Sequence, residues 1–457
     1  MKARGAQIPV KFMGLSTRRR HAQIRRWLAA LAAAALLTTL ATGTATAAAA
    51  PAEAAGDPTV ISDWNAIAVT TLAGDTTKTP VEAILYMAFV QAAVYDAVVG
   101  VKGRYEPYRF HAHAPHHTSA QTAAAAAAHR VLVTYSPYAQ ATLDTAYAAS
   151  LAKLPDGKAK TRGIDFGTRA ADNLIRLRAN DGRNAPILFT KPPAPGIWRP
   201  TPPAFAPMVA PWLGFVTPLL VHSPTQFAPP PPPALTSARY SRDFNEVKAL
   251  GSATSTARTP AQTDTALFYS GLANVQFQAM LRDQVTVRDL DLVDAARMFA
   301  AADMSAADTI ISVWHTKDVD GTWRPDTAIN LAATDNNPAT DPDPSWAPLR
   351  PDPAYPEYPS GYNGFAAAVT GALEKVFHTR RLQLTVTSTA VPDVRRYNSG
   401  RALRQDVVDG RMWLGVHFRF ADTAARDMGL RLTDWTLDHY FQPVEGSDSP
   451  TVDRPAM

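Results

Sequence analysis

Cysteine is absent from all 457 residues of the chain. Its absence excludes disulfide bonds, so the folded protein must be held together by its core. It also leaves no thiol for an oxidant to destroy, which suits peroxide chemistry without arguing for it.

Acidic residues are missing from residues 1–47, which carry eight lysines and arginines. Within this stretch the run from Trp27 to Leu40 is almost entirely alanine and leucine, and Ala45-Thr46-Ala47 follow it. The run is too short for a membrane span, and its basic flank and small-residue ending are typical of an export signal. We expect residues 1–47 to be a signal peptide and the protein to be secreted. Arginines at 18–20 leave the Sec and twin-arginine routes both open.

The formal net charge of +5 comes from that same stretch. Without it, 37 basic residues stand against 40 acidic ones, so the remaining chain is close to −3. A nucleic-acid-binding protein would carry a clustered basic surface in its folded part, so no nucleic-acid partner is predicted. We also expect no stable membrane span once the signal is removed.

Strand-like alternation is scarce, and helical periodicity dominates. An N-terminal helical bundle is predicted over 57–186, because apolar residues such as Ile84, Met87 and Val94 fall on one helical face. Residues 236–457 read as a second helical bundle. The predicted fold class is therefore all-α.

Residues 187–235 differ, because proline occurs in most short windows together with several large aromatic residues. A flexible linker would not need those rings, so we interpret the segment as extended and packed against both halves. A plain linker between the bundles is the alternative. The aromatic residues include Trp198, Phe205, Trp212, Phe215 and Phe227.

Local patterns place the polar residues of the second bundle. A helix is predicted over 274–313, with Lys317 just beyond it, and Pro359 before Ser360 indicates a helix start at the Ser-Gly pair. A short strand is expected over 382–387 and helices over 401–416 and 423–440. Arg411 and His417 are six residues apart, so His417 is placed at or past a helix end.

Three separated stretches of this bundle carry chemistry suited to a tetrahedral oxyanion. Arginine supplies planar bidentate donors and lysine a point charge. A serine hydroxyl and a glycine N–H at a helix start add neutral donors, and a neutral imidazole can ligate a metal or attack phosphorus. We call these residues the anion site: Lys317, Arg324, Ser360, Gly361, Arg411 and His417.

The order Lys-x6-Arg-Pro, Pro-Ser-Gly, Arg-x5-His resembles the superfamily of phosphatidic acid phosphatases type 2 and vanadium haloperoxidases, and the whole chain resembles exported actinobacterial members of the haloperoxidase branch. Trp314 and Tyr355 also stand where that branch has aromatic residues near its site, and His315 is a further candidate for the pocket. The resemblance implies that Lys317, Arg324, Ser360, Gly361 and Arg411 bind the oxyanion. It makes His417 the axial vanadium ligand.

The resemblance implies a vanadate cofactor, or phosphate in its place, with hydrogen peroxide, a halide and a small organic molecule as reaction partners. The leading hypothesis is a vanadium-haloperoxidase-like enzyme that halogenates the organic substrate. The alternative is a phosphatase whose nucleophile is His417. Association of two copies through the N-terminal helices is a further possibility.

One departure from the family is Tyr362, which stands where the family has its acid/base histidine. A phenol is a weaker acid/base near neutral pH, and loss of such a group costs about 10²- to 10⁴-fold in rate. A haloperoxidase depends less on it, since vanadate itself activates peroxide, so the vanadate branch is favoured. Tyr362 is either a substitute catalytic group or a packing residue. A degenerate oxyanion-binding protein, or a catalyst of non-redox rearrangement, is the remaining hypothesis.

Overall fold

One long helix, Leu292–Asp320, organises the fold. The computed structural model describes residues 56–445, and the predicted signal peptide lies outside them. The helices in this range are α1 Thr59–Gly74, α2 Pro80–Lys102, α3 Ala120–Tyr135, α4 Gln140–Ala152, α5 Lys158–Leu177, α6 Ala238–Leu250, α7 Pro260–Phe268, α8 Ala273–Val287, α9 Leu292–Asp320, α10 Pro325–Asn330, α11 Gly361–Val376, α12 Gly400–Trp413 and α13 Arg419–His439. Two strands, β1 Leu384–Thr387 and β2 Val394–Tyr397, form an antiparallel hairpin. The all-α prediction is confirmed.

Helix α9 is buried along nearly its whole length because small alanines alternate with larger apolar residues on all its faces. Asp291 caps its start by accepting the N–H groups of Val293 and Asp294, each at 2.9 Å. Gly321 ends it in the left-handed conformation, at φ 62°. One side of α9 packs on α2 and another on α11, so this helix joins the N-terminal helices to the anion site.

Helix α2 is the core of the N-terminal helices. Among residues 56–445 it is the one helix long and apolar enough to cross a membrane, yet 89% of its apolar window is buried inside the protein. Thr79 and Glu82 form a capping box at its start. Gln91, which interrupts the predicted apolar face, is buried as well, because the helix is covered on all sides. It packs against α3 and α9.

The predicted single helix over 274–313 is wrong: two helices, α8 and α9, occupy this region. The chain turns at Asp289, whose φ is 48°, and Asp291 then caps a new helix. The prediction that Lys317 lies beyond the helix is also wrong, since α9 continues to Asp320 and Lys317 occupies its last turn. The spacing of apolar residues in α8 continues into α9 without a visible change, so the sequence pattern did not indicate that one helix ends and another begins.

The proline-rich segment lies against the site-bearing helices at several points. Trp198 and Trp212 are buried, whereas Phe205 and Phe215 are 62% and 42% exposed, so the expectation that all the rings pack is wrong for these two. The N–H groups of residues 219–221 donate to the buried carboxylate of Asp308 on α9 at 2.6–2.9 Å. The described residues fall within one compact unit, Glu53–Met457. The boundaries proposed at 57–186, 187–235 and 236–457 stay predictions.

Candidate anion site

Lys317 is fully buried in the last turn of α9. Its ammonium donates to the backbone oxygens of Pro356 at 2.6 Å and Glu357 at 2.8 Å. Burial, reinforced by the nearby charge of Arg324, holds the pKa of this lysine well below its usual range. The two carbonyl contacts fix the ammonium directly beneath the loop that leads to Ser360.

Arg324 precedes α10 and is fully buried. Its Nε donates to the Tyr355 oxygen at 2.9 Å and its Nη1 to the Val416 oxygen at 2.7 Å. Its Nη2 is buried and has no hydrogen-bond partner. A buried cationic donor without a partner is costly, so its presence indicates a place for an anionic ligand.

Ser360 and Gly361 begin α11, as predicted. The Ser360 hydroxyl accepts a hydrogen bond from the Asn363 amide at 3.3 Å, and no side chain caps the first turn of the helix. A Cβ at Gly361 would lie 3.2 Å from the Trp314 ring, so glycine permits the close approach of α11 to α9. The first-turn N–H groups and the helix dipole are therefore available to a negatively charged group.

Arg411 lies in the last turn of α12 and is 7% exposed. Its Nη1 donates to the Tyr269 oxygen at 3.0 Å, while its Nε is buried without a partner. Arg411 Nε is therefore the second guanidinium nitrogen of the site without a hydrogen-bond partner, after Arg324 Nη2. Burial lowers the pKa of this arginine, but a guanidinium keeps its charge in proteins.

His417 lies past the end of α12, as predicted, and is 1% exposed. Its Nδ1 is 3.0 Å from Oε1 of the fully buried Glu357. That oxygen also accepts the N–H of Phe418 at 3.0 Å, which favours Nδ1–H of His417 as a second donor to it. Burial, with the charges of Arg324, Arg411 and Lys317, holds the pKa of this imidazole well below its usual range. The ring is neutral and its Nε2 carries a lone pair.

Arg324 Nη1 lies 3.5 Å from Nδ1 and 3.4 Å from Nε2 of His417. Nearly equal distances to both nitrogens place the guanidinium beside the ring, and these contacts are too long to be strong hydrogen bonds. The Nε2 lone pair is therefore not committed to this arginine.

Three acidic side chains surround these cations. Burial raises the pKa of Glu357 to about 8 and those of Asp352 and Asp422 to about 7. The charges of Arg324 and Arg411 oppose the shift at Asp352. Oε2 of Glu357, Oδ2 of Asp422 and both oxygens of Asp352 are buried without hydrogen-bond partners. As these acids take up protons, the site gains net positive charge and becomes better suited to an anion.

Tyr362, the residue that replaces the family histidine, points its hydroxyl at Gln276. The phenol donates to Oε1 of this glutamine, whose amide nitrogen donates to the backbone oxygens of Phe268 and Thr387. Its ring packs on Arg411, with the guanidinium carbon 5.1 Å from the ring centroid. Burial raises the pKa of this phenol above its usual range. These contacts favour the packing interpretation of Tyr362 over acid/base chemistry.

The predicted pocket residues separate into two groups. Trp314 and Tyr355 pack together, with ring centroids 4.8 Å apart, and both line a cavity of about 540 Å³. His315 instead contacts the Gly214 oxygen at 3.2 Å and packs on Phe215, outside that cavity lining. Gly361, Tyr362 and Arg411 form part of the cavity wall. The other four residues of the anion site, Lys317, Arg324, Ser360 and His417, do not line it.

The structure therefore brings all six residues of the anion site to one region. Several partners escaped the sequence reasoning, namely Glu357, Asp352, Asn363, Asp422 and Gln276. Glu357 and Asn363 stand three residues before and after Ser360, so their positions beside the motif were the available signals. Asp352, Asp422 and Gln276 reach the site through tertiary packing.

Comparison with known proteins supports this reading. Residues 297–446 match the family model described as the VCPO second helical-bundle domain. A bacterial vanadium-dependent iodoperoxidase structure is similar with a TM-score of 0.74 at 19% identity, covering 84% of this chain and 97% of that one. A holo-type bacterial vanadium-dependent chloroperoxidase gives 0.63 at 17%, covering 84% and 94%, and an apo-type one 0.62 at 16%, covering 78% and 92%. No match was found among curated proteins. The predicted resemblance to the vanadium haloperoxidase superfamily is confirmed, and the fold is the helical fold of these enzymes.

Proposed function

We propose that this protein is a secreted vanadate-dependent haloperoxidase-like enzyme that uses hydrogen peroxide and a halide to halogenate an organic substrate. One observation carries the proposal: the Glu357 contact engages Nδ1 of His417 and leaves Nε2 with only the long 3.4 Å contact to Arg324 Nη1, in a site where two buried guanidinium nitrogens lack partners.

The residues present fit vanadate. Unpartnered Arg324 Nη2 and Arg411 Nε are donors for its oxygens, as are the uncapped first turn of α11 and the ammonium of Lys317. Nε2 of His417 would ligate the metal. When bound, vanadate supplies Lewis-acid activation of peroxide.

The protein's own contribution is charge and position. Arg324 and Arg411, joined by Lys317 when it is protonated, offset negative charge in a region from which water is excluded, where fixed donors stabilise charge strongly. Glu357 holds the His417 ring in one tautomer and orientation, as carboxylates commonly do for metal-ligating histidines.

A phosphatase would use the same donors for a phosphoryl group, with Nε2 of His417 as the nucleophile. That reaction needs a proton for the leaving group, and Tyr362 has its hydroxyl committed to Gln276. This contact is the reason for preferring the haloperoxidase function.

The test is to incubate the purified chain with orthovanadate, peroxide and each halide in turn, using a halogen-trapping dye. We expect vanadate-dependent turnover that His417→Ala abolishes. Failure of both turnover and vanadate binding would contradict the proposal, and vanadate-inhibited release of phosphate from a generic ester would favour the phosphatase instead. The variant His439→Ala, at the exposed end of α13, is a matched control.

A further inference from the structure

Asp352 differs from the other two acidic side chains beside the anion site. Glu357 accepts two hydrogen bonds through Oε1, and Oδ1 of Asp422 accepts the Asn363 amide at 2.7 Å. Both carboxylate oxygens of Asp352, in contrast, are buried and have no hydrogen-bond partner. A buried carboxylate without partners lowers stability, so we expect a ligand to complete its hydrogen bonding.

The backbone on either side of Asp352 is held against the anion site. The Leu349 N–H donates to the Leu414 oxygen at 3.0 Å, directly after α12. On the other side, the Tyr355 oxygen accepts Arg324 Nε at 2.9 Å. Asp352 stands three residues from each of these anchors, so its Cα lies within about 11 Å of the Cα of Leu349 and of Tyr355.

Two cations of the anion site and one further acid act on this carboxyl group. Burial raises the pKa of Asp352 to about 7; Arg324 and Arg411 oppose this shift, and Asp326 adds to it. Asp326 itself is engaged, since its Oδ1 accepts the Asn330 amide at 2.7 Å. Neither guanidinium donates to Asp352, although Arg324 Nη2 and Arg411 Nε are both without partners. Two unpartnered donors and one unpartnered acceptor therefore share this region without binding each other.

An oxyanion that carries a hydroxyl fits this set of groups. Its other oxygens accept hydrogen bonds from the arginines, and its hydroxyl donates to the carboxylate. Phosphate and vanadate both carry a hydroxyl near neutral pH, whereas sulfate carries none. An ionised carboxylate can only accept, so it repels a sulfate oxygen and forms no hydrogen bond with it. A site built to bind a hydroxyl strongly rejects an analogue that lacks one.

We propose that Asp352 determines which anion the site takes: its carboxylate accepts a hydrogen bond from the hydroxyl of a protonated oxyanion of the phosphate or vanadate type and excludes sulfate. The inference rests on the proposed function in placing the anion among these residues, but it does not depend on halogenation.

The experiment measures binding of inorganic phosphate and of sulfate to the full chain by calorimetry, without vanadate, peroxide or bromide. At about pH 8.5 both anions are divalent and Asp352 is ionised, so phosphate should bind at least about tenfold more tightly than sulfate. At about pH 6 Asp352 is protonated and can donate to sulfate. The preference for phosphate should therefore shrink by at least about threefold.

Variants of Asp352 separate the carboxylate from its surroundings. Asp352→Asn should reduce the preference at pH 8.5 to within about threefold, because an amide offers a donor to sulfate as well as an acceptor to phosphate. Asp352→Glu keeps an acidic acceptor and should retain a preference for phosphate. Asp341→Asn, exposed in the same loop before α11, is the matched control and should behave like the wild type.

Equal binding of the two anions by the wild type at pH 8.5 would overturn the proposal, and so would a tenfold preference that persists in Asp352→Asn. A wild-type preference that is the same at both pH values would also overturn it, independently of how the variants fold. Binding of neither anion would overturn the anion site and both proposals. Absence of halogenation with the selectivity intact would refute the proposed function alone.

Discussion

The contact between Glu357 and His417 gives the sharpest test of how the site works. Replacing Glu357 by alanine removes the acceptor for two buried donors, His417 Nδ1–H and the Phe418 N–H, each 3.0 Å from Oε1. Leaving one buried donor unsatisfied costs about 1–3 kcal/mol, so with two such donors the free energy of unfolding should fall by about 2–6 kcal/mol. Loss of a carboxylate that orients a ligating histidine should also weaken vanadate binding about 10- to 100-fold.

Replacing Glu357 by glutamine should behave differently, because it keeps a carbonyl oxygen at the Oε1 position. Burial raises the pKa of Glu357 to about 8, so the wild-type side chain is mostly protonated near pH 6–7. Vanadate affinity of Glu357→Gln should therefore lie within about threefold of wild type near pH 6–7. Above pH 8 the wild-type carboxylate ionises and repels the anion, and glutamine should then bind vanadate more tightly than wild type.

The same pKa shift of Glu357 also predicts how the stability of the protein depends on pH. Burial raises the Glu357 pKa from 4.5 to about 8, so the folded protein holds an extra proton between those values. The stability that Glu357 contributes to the wild-type protein is greatest below pH 4.5 and is lost as the pH rises to about 8. Glu357→Gln should remove this contribution to the pH dependence of stability.

The assay is calorimetric titration with orthovanadate at several pH values, reported as the ratio of variant to wild-type affinity so that ionisation of the ligand cancels. Asp144→Asn is a matched control, since Asp144 contacts His129 at 2.8 Å on the surface with 52% of its side chain exposed. Alanine and glutamine variants that both bind like wild type would refute the role of Glu357. A hundredfold loss in the glutamine variant at pH 6 would show instead that the carboxylate charge is required.

Three further predictions follow from individual contacts. Tyr362→Phe should keep turnover within about twofold and lower the free energy of unfolding by about 1 kcal/mol, because the phenol hydroxyl donates its hydrogen bond to Gln276. A large loss of turnover would show that Tyr362 is a catalytic group. Arg411→Lys should weaken vanadate binding about 10- to 100-fold in the same titration, because lysine lacks the planar fork whose Nε is free; unchanged affinity would place the anion elsewhere. Asp303 is buried with its pKa raised to about 7, so thermal melts should show wild-type stability falling from about pH 4 to 7, and Asp303→Asn should show a smaller fall. An equal fall in the variant would contradict the assignment.

Local sequence signals predicted much of the second bundle. Proline before Ser360 predicted the start of α11, and the spacing of Arg411 and His417 predicted that the histidine lies past α12. The alternation over 382–387 predicted β1. These features depend on backbone rules that act over a few residues, so they are visible without the rest of the chain.

Other features depend on packing that no local pattern encodes. The break between α8 and α9 lies within a continuous apolar periodicity, so only the turn at Asp289 reveals it. The Glu357 contact spans 60 residues of sequence and that of Tyr362 with Gln276 spans 86. Sequence reasoning therefore named residues that the fold brings together, but not most of the side chains that contact them.

The same distinction applies to Tyr362. Its position in the motif suggested a substitute acid/base, but the chemistry of a phenol depends on where its hydroxyl points. The hydrogen bond to Gln276 follows from α8 lying against α11, a contact between helices far apart in the chain.

The most direct measurement of the central claim is a crystal structure of the protein grown with orthovanadate. We predict one anion held by Lys317, Arg324, Ser360, Gly361 and Arg411, with its vanadium bonded to Nε2 of His417. An anion bound away from His417, or none in crystals that hold excess vanadate, would contradict the claim that these separated segments form a single oxyanion site.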